Sequence, residues 1–176
     1  GIGAAEYGSD GSDGVMGVAY PDDSFSALNE TIYGNTDSEV NLTNDYKFYS
    51  AYDGKLINGI LINRKVTING NGHTIDSKEI SRQFDVEADG VIIKNLTFKN
   101  SHYHGIGGAI YFSDYGEVIC CNFVNNKGGS AGAIWFQGNA IVKYCNFTNN
   151  SASDSEGAIC LRDGGIITNC NFNNIS

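Results

Sequence analysis

Basic residues are scarce in this chain of 176 residues. Lysine and arginine number 11 against 20 aspartates and glutamates, which gives a formal net charge of −9 and an isoelectric point near 4.6. This balance argues against nucleic-acid binding, because a phosphate backbone requires a basic face. No apolar run reaches the length of a membrane span, so we expect no such span in this chain. Paired CxxC motifs are also missing, which argues against a zinc site.

Proline is almost absent, with one residue, whereas the chain has 23 glycines, 10 tyrosines and 9 phenylalanines. This composition is typical of an extracellular β-rich protein. Within it, a sequence unit repeats: Phe98, Phe123, Phe147 and Phe172 are spaced 25, 24 and 25 apart. Ile110, Ile134 and Ile159 form a second column with spacings of 24 and 25. A fixed period of this length indicates a solenoid, in which each unit buries its apolar face against its neighbours.

The spacing of apolar residues within one repeat predicts strands rather than helices. Pairs such as Ile110 and Phe112 are apolar at i and i+2, as on one face of a strand. The alternation breaks before each Phe, which predicts a bend and about three short strands per turn. Helical repeats would instead show i, i+3, i+4 spacing and less Gly and Asn. We therefore predict an all-β protein, a parallel β-helix with about 24–25 residues per coil and roughly four to five turns.

One asparagine column follows the phenylalanines by two residues: Asn100, Asn125, Asn149 and Asn174. An amide offers donors and an acceptor, so we predict a buried ladder in which each side chain bonds its own turn and the next coil. The alternative is that Asn merely favours turns.

Three cysteines, Cys121, Cys145 and Cys170, share the column two residues before the phenylalanines. We expect buried free thiols that act as small hydrophobic side chains. The alternative is a disulfide between neighbouring coils, for which parallel side chains give poor dihedral geometry.

Three regions are predicted along the chain. Residues 1–19 form a flexible Gly/Ser/Asp-rich leader, in which Asp10 and Asp13 lack the spacing of a calcium loop. Residues 20–56 form a cap that contains a short amphipathic helix at 23–34, with Phe25, Leu28 and Ile32 on one face. Residues 57–176 form the coils. Because no cap follows the last coil, we expect a truncated β-helix whose open end continues in a longer protein or pairs end to end with another copy.

The motifs GGAI at 107–110, AGAI at 131–134 and EGAI at 156–159 alternate with FVNN at 123–126 and FTNN at 147–150. These repeats resemble those of chlamydial polymorphic outer-membrane proteins. The chain from about residue 23 onward resembles still more closely the large adhesin-like surface proteins of methanogenic archaea. The resemblance implies a right-handed parallel β-helix, the pectate-lyase-like solenoid, on the outside of a cell and within a longer protein. It implies no particular ligand.

The candidate binding residues alternate with the inward Ile and Phe residues. If Ile110 and Phe112 face inward, the outward rows comprise one run of Asp85, Tyr111, Trp135 and Cys160 and a second run of Glu87, Ser113, Gln137 and Arg162. Aromatic rings with flanking polar groups suit sugar rings. The opposite register, with Ala109 and Tyr111 inward, is the alternative. A plain polar exterior would also explain these rows.

Asp85 and Glu87 lie at i and i+2, a spacing compatible with paired-carboxylate chemistry. This leaves a polysaccharide lyase or glycoside hydrolase acting in a groove as the alternative function. We assign no catalytic residue, cofactor or metal ion, and we place His102 and His104 in a surface loop. The expected function is an extracellular adhesin-like β-helix, a stalk or a surface that binds glycans or proteins of other cells.

Overall fold

The computed structural model describes residues 19–176, so the predicted leader at 1–19 lies almost wholly outside the described residues. Within these residues, the first element is the α-helix α1 (Phe25–Tyr33). Ser24 caps its N-terminus by accepting a hydrogen bond from the Ala27 amide at 3.0 Å, and Gly34 ends it. Phe25, Leu28 and Ile32 are buried and join the core of the coils. No helix within residues 19–176 has the length and apolar character needed to cross a membrane.

A buried carboxylate ties the helix to the following loop. Asp53, fully buried, accepts hydrogen bonds from the backbone amides of Phe25 at 3.1 Å and Ser26 at 2.8 Å. The Tyr49 amide donates to the same carboxylate at 2.8 Å. The Phe25 and Ser26 amides are the first two of α1, where the helix dipole favours a negative charge. Asp53 itself precedes one turn of 3-10 helix at Gly54–Leu56.

After α1, the described part of the chain forms twenty short strands that wind into a solenoid. An incomplete first turn contributes β1 (Glu39–Asn41) and β2 (Tyr46–Lys47). The next turn contributes β3 (Ile60–Ile62), β4 (Thr67–Asn69) and β5 (Thr74–Asp76). Three fuller turns follow: β6 (Phe84–Val86), β7 (Val91–Lys94), β8 (Thr97–Lys99) and β9 (His102–Ile106); β10 (Ile110–Phe112), β11 (Gly116–Ile119), β12 (Asn122–Val124) and β13 (Lys127–Ser130); β14 (Ile134–Phe136), β15 (Ala140–Lys143), β16 (Asn146–Thr148) and β17 (Ser151–Ala152). The last turn contributes β18 (Ile159–Leu161), β19 (Gly165–Thr168) and β20 (Asn171–Asn173).

Corresponding strands of successive turns pair in parallel to form four sheets. Sheet 1 contains β3, β6, β10, β14 and β18; sheet 2 contains β1, β4, β7, β11, β15 and β19. Sheet 3 contains β2, β5, β8, β12, β16 and β20, and sheet 4 contains β9, β13 and β17. The fold is therefore the predicted parallel β-helix. Hydrogen bonding already begins at β1 and β2, within the range 20–56 that the sequence assigned to the cap. His102 and His104 lie in strand β9 and not in the loop that was predicted.

The core consists of columns of identical or similar side chains. Phe98, Phe123, Phe147 and Phe172 stack face to face, with ring centroids 4.8–5.0 Å apart and planes within 10° of parallel. Beside them, Cys121 and Cys145 are buried and Cys170 is partly buried, all as free thiols. Each thiol contacts backbone carbonyl oxygens of its own coil and of the preceding one, for example Cys145 to Val118 at 3.6 Å. The sulfurs therefore fill core volume, as the sequence predicted.

The buried asparagine ladder lies one residue later than predicted. Asn125, Asn149 and Asn174 are exposed and Asn100 is only partly buried, so their predicted burial is wrong. These four residues share a left-handed backbone, with φ between 52° and 57°. That turn interrupts the alternation of side chains, so the following residue points inward. The Asn column thus marks a turn, since Asn tolerates this conformation better than most residues. The predicted bond to the next coil does form at one step, where the Asn174 side-chain amide donates to Asn149 Oδ1 at 2.6 Å, but at the surface.

The true ladder comprises Asn126 and Asn150, both fully buried. The Asn126 side-chain amide donates to Asn150 Oδ1 at 3.0 Å and to the Phe98 carbonyl at 3.1 Å. Its Oδ1 accepts from the Ser101 backbone amide at 3.0 Å. Asn150 repeats the pattern by donating to the Phe123 carbonyl at 3.0 Å. The ladder therefore satisfies backbone groups that the bend would otherwise leave unpaired.

Candidate functional site

The outer face of sheet 1 carries the side chains that alternate with the core. Ile110 and Phe112 are fully buried, whereas Tyr111 between them is half-buried and faces outward. The alternative register, with Tyr111 inside, is therefore excluded, although Ala109 is also buried at the preceding bend. Parallel pairing aligns one outward row along the solenoid: Leu61, Asp85, Tyr111, Trp135 and Cys160. Backbone hydrogen bonds align the second row in the same way: Glu87, Ser113, Gln137 and Arg162.

Two aromatic side chains occupy adjacent positions at the centre of this face. Tyr111 and Trp135 are direct partners on β10 and β14, and both are half-buried. Trp135 Nε1 donates to Gln137 Oε1 at 3.2 Å. The Arg162 guanidinium lies 5.8 Å from the centre of the Trp135 ring, a distance at which a cation is attracted to the ring face. Trp135, Gln137 and Arg162 therefore form one cluster with an aromatic platform and hydrogen-bonding groups at its edge.

The second cluster is acidic and lies on the other side of Tyr111. Burial raises the pKa of Asp85 to about 6, and the hydrogen-bonding contact and negative charge of Glu87 act in the same direction. The positive charge of Arg82 opposes this rise. Burial also raises the pKa of Tyr111, with the charges of Glu87 and Asp85 adding to the effect. Asp85 therefore retains its proton up to about pH 6.

Arg82 and Tyr103 belong to this cluster and were missed in the sequence. Arg82 is 5% exposed, and its guanidinium lies 3.9 Å from the Tyr103 ring centre and 5.6 Å from that of Tyr111. Neither Arg82 Nε nor Asp85 Oδ1 has a hydrogen-bond partner within the described part of the chain, although both atoms are buried. Arg82 precedes strand β6 of sheet 1, whereas Tyr103 lies on β9 of sheet 4. No periodic pattern in the sequence therefore connects the two residues. The only signal in the sequence that could have pointed to Arg82 is that basic residues are few in this chain.

Two other sequence-derived candidates are not part of the face. Cys160 aligns with Trp135 in the outward row, but its side chain is 6% exposed and cannot contribute to a contact surface. His102 and His104 lie on sheet 4 with ring centroids 4.7 Å apart. Within residues 19–176, no group of three or more His, Cys, Asp or Glu side chains is arranged to hold a metal ion.

Residues 23–155 match the family of pectate lyase-like adhesive domains. The chain belongs to this family. The match covers α1 and the strands that carry Tyr111 and Trp135, and it ends before Arg162. No curated protein and no solved structure gives a significant match to the chain. The β-helix and the adhesive description of the family together fit an adhesin-like role for this domain.

Proposed function

We propose that this adhesive domain acts outside the cell, at a cell surface, and that the outer face of sheet 1 binds glycans of another cell. The observation that carries the proposal is the pair Tyr111 and Trp135, aligned side by side on neighbouring coils. Neighbouring strands of a sheet lie about 4.8 Å apart, so two rings in one row offer a continuous apolar platform for a sugar. The rigid solenoid holds this platform without an entropic cost of ordering a loop.

The polar groups beside the platform suit the hydroxyl groups of a sugar. Gln137 and Arg162 offer amide and guanidinium groups on the Trp135 side, and Glu87 and Asp85 offer carboxyl oxygens on the Tyr111 side. With a net charge of −9 and two acidic residues on the face, the domain disfavours highly anionic polysaccharides. We therefore expect a neutral or weakly charged glycan as the ligand.

A glycan array tests this proposal. We expect the wild-type domain to retain a defined set of neutral glycans, and we expect Trp135→Ala and Tyr111→Ala each to weaken that binding at least about tenfold, or about 1.4 kcal/mol. Tyr144→Asn is the matched control, because Tyr144 is 56% exposed and lies away from sheet 1, and Asn suits its left-handed backbone. Equal losses in all three variants, or unchanged binding in the first two, would contradict the assignment.

Asp85 and Glu87 are the two residues that a hydrolase would use, because most glycosidases act through a pair of carboxyl groups. The adhesive description of the family favours binding over hydrolysis. Incubation with polygalacturonate tests the alternative directly. We expect no unsaturated product and no new reducing ends; either product, lost on Asp85→Asn, would reassign the domain as an enzyme.

A further inference from the structure

The chain contains six Asn-X-Ser/Thr triplets, which begin at Asn29, Asn41, Asn95, Asn146, Asn149 and Asn174. This triplet is the acceptor sequence for N-linked glycans in proteins that leave the cell. Asn29 is half-buried on α1. The other five asparagines are exposed, so the folded coils leave room for a glycan at each of them.

The five exposed acceptors cluster on one side of the solenoid. Asn146 lies in strand β16 of sheet 3, and Asn149 and Asn174 occupy the turns that leave sheet 3. Asn41 is the last residue of β1 in sheet 2, and Asn95 occupies the left-handed turn between β7 of sheet 2 and β8 of sheet 3. By contrast, exposed asparagines beside sheet 1 all lack a Ser or Thr two residues later: Asn58, Asn63 and Asn139. The asymmetry therefore does not result from a shortage of asparagine near sheet 1.

We propose that the sheet 3 side of this domain carries covalent N-linked glycans, while the outer face of sheet 1 stays bare. The proposal rests on the extracellular location in the proposed function. In the reaction, the side-chain nitrogen of asparagine forms a bond to the anomeric carbon of an oligosaccharide. The bond that breaks joins this carbon to the phosphate of a lipid-linked oligosaccharide donor. The amide loses one proton, and the lipid phosphate leaves.

The hydrogen bonds of the acceptor amides are compatible with this modification. Neither Asn41 nor Asn149 donates a hydrogen bond from its side-chain nitrogen within the described residues, and each only accepts through Oδ1. Asn95 and Asn146 each donate one bond, to Asn69 at 3.1 Å and to Asn122 at 2.9 Å. A glycosylated amide keeps one N–H, so these single bonds can persist.

Modification must precede folding of each coil. The middle residues of four of the triplets are buried in the folded chain: Leu42, Leu96, Phe147 and Asn150. An enzyme that reads the triplet as an extended segment cannot reach these residues once the coil has closed. Glycans must therefore be added during export, and the test requires protein that cells have exported.

Two adjacent coils provide a matched internal control. Asn122-Phe123-Val124 and Asn146-Phe147-Thr148 are aligned partners on β12 and β16, and they differ in only one residue. The pair Val124 and Thr148 has nearly the same shape and faces outward on both coils. The hydroxyl of Thr148 is thus the feature that distinguishes an acceptor from a non-acceptor at the same position.

Peptide mass spectrometry of the protein, recovered from the cells that make it, is the experiment. We expect glycan masses at one or more of the five exposed acceptors and unmodified peptides at Asn122 and Asn125. In cells with the same transfer system, Thr148→Val should remove the glycan at Asn146, and Val124→Thr should add one at Asn122. Unmodified masses at all five acceptors, or glycans that ignore both substitutions, would overturn the proposal. Glycan-array binding is measured separately, so a failure of the binding proposal leaves this result unchanged.

Discussion

The interior of the solenoid and the outer face of sheet 1 obey different rules, although they alternate along the same strands. Inside, Phe98, Phe123 and Phe147 recur because each ring must stack on the ring below it. Outside, the aligned row changes along the solenoid, from aliphatic Leu61 to acidic Asp85 and then to the aromatic residues Tyr111 and Trp135. The interior is determined by stacking, so variation there is costly. The exterior has no such constraint, and it is where a binding surface can form.

The largest expected effect follows from removing an interior ring. Phe123→Ala should lower the free energy of unfolding by about 3–5 kcal/mol, because Phe123 is fully buried between Phe98 and Phe147 and the vacated space cannot collapse. Trp135→Ala, a larger truncation on the outer face, should cost about 1 kcal/mol or less. Urea denaturation of both variants measures the difference. Similar costs for the two would show that inside and outside are not energetically distinct.

The next effect separates the two neighbouring asparagine columns. Asn126→Ala should cost about 2–3 kcal/mol, since it leaves the Ser101 amide and the Phe98 carbonyl without partners in the interior. Asn125→Ala should cost only about 1 kcal/mol, because Ala tolerates the left-handed backbone less well than Asn.

Asn125→Gly sharpens this comparison, because Gly adopts the left-handed backbone without strain. We expect it to match the wild type within about 0.5 kcal/mol in the same denaturation experiment. If Gly proved as damaging as Ala, the side-chain amide of Asn125 and not its backbone conformation would be the stabilising feature.

The last effect concerns the outer face alone. The pKa of Asp85 is about 6 in the folded protein against 3.8 as the ordinary value, so the folded state binds more protons between these limits. The contribution of Asp85 to stability is therefore greatest below about pH 4 and is lost as the pH rises through about 6. Because Asp85 is only partly buried, solvent screening reduces this contribution to about 1 kcal/mol.

Asp85→Asn removes this titration and keeps the shape of the side chain. Thermal denaturation of both proteins at pH 4 and pH 8 should show the variant gaining stability relative to the wild type only at the higher pH. A constant difference between the two pH values would mean that Asp85 has an ordinary pKa and that the acidic cluster is open to solvent.

Much of the architecture was determined by the sequence alone. The period of 24–25 residues and the inward Phe column follow from alternation in units that repeat. The same alternation allowed two registers for the strand at Ile110, and the structure decided that Tyr111 and Trp135 face outward. A repeat forces equivalent residues into register, so a few columns determine the whole stack. The capping helix could likewise be predicted from the sequence, because its apolar spacing and its cap residues are local signals.

The tertiary structure decided what local pattern could not. Both FVNN and FTNN offer two adjacent asparagines, and only the left-handed turn at the first decides that Asn126 and Asn150 point inward. Sheet 4 arises from pairing between glycine-rich segments that carry no apolar alternation. Arg82 contacts Tyr103 and Tyr111. Each of these three residues belongs to a different strand or bend, and they meet only when successive coils stack. Alternation is a property of one strand, whereas these contacts depend on how the chain turns between strands.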